Sequence, residues 1–174
     1  MFKSLIFILG LSLSQSVYAS SSEHKDHTKV EKPNRISLNE KDKKDVLQVL
    51  ELNHALHSSF FTYVATEVEV KAKALSNKID QIENKEIAKL LNYSKNKLLE
   101  IKRDKEREEN NKSYHLVSMA LIYIVNKYDV GSKYNAYSCP MVKKKWVQNS
   151  VKMSKVHNPY APEMPHCGSQ DSKH

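Results

Sequence analysis

Apolar residues recur every three or four positions through the middle of the chain, in four successive runs. Val46, Val49, Leu50, Asn53 and Leu56 hold one side of a first helix. Val64, Val68, Ala72, Leu75, Ile79 and Ile82 make a second stripe. Ile87, Leu90, Leu91, Ser94, Leu98 and Ile101 make a third, and Tyr114, Val117, Leu121, Ile124, Val125 and Tyr128 a fourth. Segments of this length cannot each bury a stripe alone, so the pattern predicts an all-α fold: an antiparallel bundle of about four helices.

Local signals place the ends. Ser37 and Glu40 form an S-x-x-E capping box after Pro33, predicting a helix start near Leu38 or Asn39. His57-Ser58-Ser59 is soft enough to predict a bend, and Asn84 suits a turn or N-cap. Residues 102–111 are mixed charges with nothing apolar to bury, which reads as a solvated helix end or loop. Asp129-Val130-Gly131 ends the fourth run.

After Gly131 the periodicity stops. Residues 132–168 hold Pro140, Pro159, Pro162 and Pro165, both cysteines, the only Trp, and Met141, Met153 and Met164. The prolines forbid a long helix. An ordered loop packed across the bundle is expected, with at most a short helix or turn over 144–151. Residues 169–174 should form a disordered tail.

The start of the chain has the anatomy of an export signal. Lys3 precedes an apolar run over 5–13, and small residues at Val17 and Ala19 suit cleavage after Ala19. Residues 1–19 are thus read as a signal peptide, 20–37 as a disordered polar arm, and 38–168 as the domain. The arm carries His24 and His27, read as polar tail rather than chelator. The most apolar later stretch, 116–130, is broken by Ser118, Asn126, Lys127 and Asp129, so the cleaved protein should not be an integral membrane protein but periplasmic.

Charge changes this picture little. The net charge is +8, but acidic residues are interleaved throughout, and export removes nucleic acid as a partner. Lys143, Lys144 and Lys145 read as a solvated cluster. Three glycines in the whole chain argue against a sheet-rich fold. There is no G-x-S-x-G, H-E-x-x-H, C-x-x-C or Gly-rich phosphate loop, so an enzyme is not expected. Glu67 and Glu69 face different sides of a helix and make no acid–base pair. His54 and His57 share a side and read as polar surface before metal ligands.

Two cysteines in an exported chain first suggest a Cys139–Cys167 disulfide, which would stabilise the fold by about 3–4 kcal/mol. The same residues sit in an ordered series: Tyr137-Ser138-Cys139-Pro140-Met141, Trp146, Asn158-Pro159-Tyr160, then Met164 and Cys167-Gly168. This series resembles the C-terminal signature of the bacterial exported domain-of-unknown-function family numbered 3347, with C-P-M, Trp, N-P-Y and M-x-x-C-G in that order. The resemblance extends loosely upstream to Val46, and departs after N-P-Y, where this chain has Ala161-Pro162-Glu163.

The resemblance implies handling of copper or a similar metal beside efflux components. Residue chemistry is compatible with that: Cys139, Met141, Met164, His166 and Cys167 are soft or borderline donors suited to Cu(I), with Met153 and His157 as outer members. Tyr137, Trp146, Asn158, Pro159 and Tyr160 are expected to pack the loop onto the bundle. Two readings stay open. One is a periplasmic metal-handling accessory holding Cu(I) in the tail. The other is a disulfide-stapled helical adaptor that docks on an efflux or envelope partner without metal.

Overall fold

A computed structural model describes residues 34–174; the expected signal peptide, its cleavage site, most of the polar arm, and His24 and His27 lie outside the described residues. Four helices come first: α1 (Glu40–Thr62), α2 (Ala65–Asp80), α3 (Lys85–Leu99) and α4 (Arg107–Lys127). Three strands follow: β1 (Tyr134–Cys139), β2 (Lys144–Asn149) and β3 (Ser169–Gln170).

Ion pairs between helix ends give the direction of each helix. Lys78 near the end of α2 meets Asp45 near the start of α1 at 2.6 Å. Glu69 at the start of α2 meets Lys102 just past α3. Lys127 at the end of α4 meets Glu86 at the start of α3 at 2.5 Å. Each helix therefore runs opposite to the one before it, an up-and-down bundle. The four predicted stripes supply its core, with Leu50, Leu56, Val68, Leu75, Ile87, Leu91, Leu121 and Ile124 fully buried.

Several boundaries differ from the sequence reading. The first helix is capped by Asn39, whose side chain accepts from the Asp42 amide at 2.8 Å, and not by a Ser37–Glu40 box. The α1 helix runs straight through His57-Ser58-Ser59 and breaks at Tyr63, which takes a left-handed backbone with φ of 46°. The Arg107 guanidinium lies over the Tyr63 ring and donates to the Phe60 carbonyl, closing that corner. Asn84 does cap α3, accepting from the Glu86 and Ile87 amides.

The polar run at 102–111 is not simply solvated. Asn110 is buried; its side chain accepts from the Lys102 amide and donates to the Lys102 carbonyl and the Tyr63 hydroxyl. A buried amide that satisfies loop backbone looks, in sequence, like any other surface Asn.

The larger correction concerns fold class. The chain is mixed α/β, not all-α: β1 to β3 form an antiparallel sheet in the order β2-β1-β3, packed against α4 and α1. In β1 and β2 Tyr137 pairs with Trp146, Ala136 with Val147 and Tyr134 with Asn149. Nearly every position from Tyr134 to Cys139 and from Trp146 to Asn149 is buried, so both faces are covered and the polar–apolar alternation that marks a strand is missing. Pro140 lies in the turn between the strands, where it costs no ladder hydrogen bond.

Both ends of the described residues are also more ordered than expected. Ile36 bridges to Tyr128, and Arg35 pairs with Asp129 at 2.9 Å, so the described end of the arm is tied to the end of α4. Residues 169–174, expected to fray, add β3 to the sheet. The Asp171 amide donates to the Ala136 carbonyl, and the His174 amide donates to the Asn135 side chain.

Candidate functional site

The C-terminal segment after β2 folds back over the sheet and is held at three places. The first is covalent: Cys139 at the end of β1 is bonded to Cys167, with their Cα atoms 5.8 Å apart. The second is Trp146, fully buried, with Tyr137 stacked beside it and Tyr160 edge-on. The third is Asn158, also fully buried. Its side chain accepts from the Tyr160 amide at 2.9 Å and donates to the Cys167 carbonyl at 3.2 Å, while its own amide donates to the Pro165 carbonyl.

Most members of the motif series thus have a local task. Pro159 follows Asn158 in the turn that Asn158 closes. Tyr160 carries the segment onto the bundle: its hydroxyl lies 3.0 Å from the Ser118 hydroxyl of α4 and donates to the Lys145 carbonyl of β2. Burial pushes the phenols of Tyr160 and Tyr114 above their ordinary range, so both stay protonated. Gln148, buried in β2, accepts from the Trp146 indole and the His157 amide and donates to the Met153 and Lys155 carbonyls. One side chain thereby satisfies much of the loop's backbone.

The expected soft-metal donors lie at the disulfide and around it. The Cys139 and Cys167 sulfurs are bonded to each other, so neither is a thiolate in this form. Met141 projects from the β1–β2 turn and is 68% exposed. Met164 is half-buried, with its carbonyl accepting from the Cys167 amide. His166 is exposed, its Nδ1 2.7 Å from the Val156 carbonyl. Among the described residues, no three His, Cys, Asp or Glu side chains converge as metal ligands.

Histidine is where sequence reasoning missed a contact. His57, read as polar surface, is only 1% exposed. Its Nε2 lies 3.1 Å from Nδ1 of His157, which the C-terminal segment brings across to α1. The His57 Nδ1 is buried with no hydrogen-bond partner. Burial is the main cause that lowers His57 to about 3, with His157 and His54 adding repulsion. Burial likewise lowers His157 to about 4, with His166 and His54 adding to it. Both rings are neutral at ordinary pH. Only the spacing of His54 and His57 was visible in sequence; His157 is a hundred residues away from its partner.

A second surface feature belongs to α4. Leu116, Met119 and Tyr123, at spacings of three and four, are 40%, 43% and 49% exposed. They form an apolar ridge on the outer side of the helix, while Val117, Ser118, Leu121 and Val125 are buried. The Lys127 ammonium lies 5.5 Å above the Tyr123 ring. Among the described residues no helix is long and apolar enough to cross a membrane. No protein-family model, characterised protein or solved structure matches the chain.

Proposed function

We propose that this chain is a disulfide-stapled binding module of the periplasm, which docks on an envelope or efflux partner through the outer face of α4 and has no catalytic role. The observation that carries this reading is the Leu116–Met119–Tyr123 ridge. These three apolar side chains are exposed together on one side of α4, where Lys127 lies over the Tyr123 ring at its end. The disulfide supports the exported setting, since such bonds persist in oxidising compartments. It also draws both cysteines into scaffold.

A photo-crosslinking residue at Met119, compared with one at Lys73 on α2, tests the docking face in the native envelope. One discrete adduct from position 119 and none from position 73 is the expected result. Equal or no adducts from both positions would remove the ridge as a docking surface.

The soft-metal reading requires Cys139 and Cys167 to be reduced. Cu(I) uptake restricted to the reduced chain, and weakened by Met141→Leu with Met164→Leu, would put metal handling by the tail in place of docking.

A further inference from the structure

We propose that His57 and His157 form a two-imidazole site for a single d10 monovalent metal ion of the Cu(I) class, separate from the cysteine and methionine donors. The geometry of the pair is the starting point. The facing nitrogens are 3.1 Å apart, the ring centroids 5.3 Å apart, and the ring planes differ by 18°. These values place both facing nitrogens close to the line joining the ring centres, so their in-plane bonding directions aim at one another. Two collinear donors suit an ion that accepts linear two-coordination. They do not suit one that demands a tetrahedron or octahedron.

The surroundings narrow the ion further. Phe61 stacks on His157 and lies beside His57, making an apolar wall. No carboxylate hydrogen-bonds to either ring, and the charged neighbours that act on them are other histidines. A dication buried there would lack a counter-charge, whereas a monocation on neutral imidazoles carries the smaller burial penalty. Imidazole is a good ligand for copper, and it must be unprotonated to bind; burial keeps both rings so.

Without metal the pair is joined by one hydrogen bond, with a single proton between the rings. The buried His57 Nδ1 lies on the far side of its ring from this gap, and it has no partner with or without an ion. On metal uptake the donating ring moves its proton to its far nitrogen, so no proton is released. Metal–nitrogen bonds of about 2.0 Å would set the nitrogens about 4 Å apart. The half-buried His157 sits on the irregular segment after β2, which can give the extra distance more readily than α1 can.

The test uses the full chain with its disulfide intact, confirmed by intact mass, and Ag(I) as a redox-inert linear probe. The expected result is one Ag(I) per chain by native mass spectrometry and calorimetry. The side-chain ¹⁵N signals of both His57 and His157 should shift, and the other described histidines should stay in place. His157→Ala, checked for retained thermal unfolding, should weaken uptake at least about 100-fold. Cys139→Ser with Cys167→Ser should keep it within a few fold. No uptake by the oxidised chain, or uptake unchanged in His157→Ala, would overturn the site. Uptake lost in the double serine variant while His157→Ala retains it would assign the ion to the sulfurs instead. The outcome is independent of whether α4 docks on a partner.

Discussion

Gly168 lies directly against Trp146. A Cβ on Gly168 would sit 3.0 Å from the indole edge and 2.5 Å from the Ser138 carbonyl oxygen, and the backbone there has φ of 134°. Glycine is required twice over, for the space and for the conformation. The residue joins the disulfide at Cys167 to β3, so the closing of the segment and the completion of the sheet meet at this point.

Gly168→Ala should therefore destabilise the fold by about 3 kcal/mol, from strain and overpacking together. Urea unfolding monitored by Trp146 fluorescence measures it. A change below about 0.5 kcal/mol would mean the segment shifts without loss.

Cys139→Ser should lower stability by about 3 kcal/mol, chiefly by loosening the unfolded chain's constraint. Reductant added to the wild type should lower its melting temperature by a similar amount, and should leave the variant unchanged. Copper should make no difference to either shift.

Asn158→Ala removes a buried side chain that serves the Tyr160 amide and the Cys167 carbonyl at once. The expected loss is about 2–3 kcal/mol. Hydrogen exchange should quicken at Tyr160 and Cys167 while the α2 and α3 amides keep their protection, because the hydrogen bonds of Asn158 stay within its own segment.

Acid should weaken the protein over a defined window. The unfolded chain protonates its histidines near 6.5, whereas burial holds His57 at about 3 and His157 at about 4. Their contribution is complete above pH 6.5 and is lost as pH falls from there, towards 4 for His157 and towards 3 for His57, because only the unfolded state takes up the protons. His57 alone removes on the order of 2 kcal/mol by pH 5. Unfolding free energies at pH 7, 6 and 5 measure the slope. His57→Leu should about halve it, since His157 remains, and an equally steep slope in that variant would place the sensitivity elsewhere.

How much of this was legible beforehand differs by element. The second to fourth stripes predicted α2, α3 and α4 because each helix buries one side and leaves the other in water. Periodicity survives that arrangement. The strands were not legible: Tyr134 to Cys139 is covered on both faces, and the prolines around it look like loop. Asn110 and His57 were misread for a related reason. A polar residue is assigned to the surface by default, and only the partner that satisfies it reveals otherwise.

The helical bundle, the end of its last helix shortly before Gly131, and the two cysteines available for pairing could be read from the chain alone. These depend on spacing, propensity and residue type within a few turns of chain. That the tail becomes a sheet, that residues 169–174 close it, and that His157 reaches His57 emerged only in the folded chain. Those pairings join residues up to a hundred positions apart. No local signal encodes them, because their free energy exists only once the helices have formed the surface on which the tail packs.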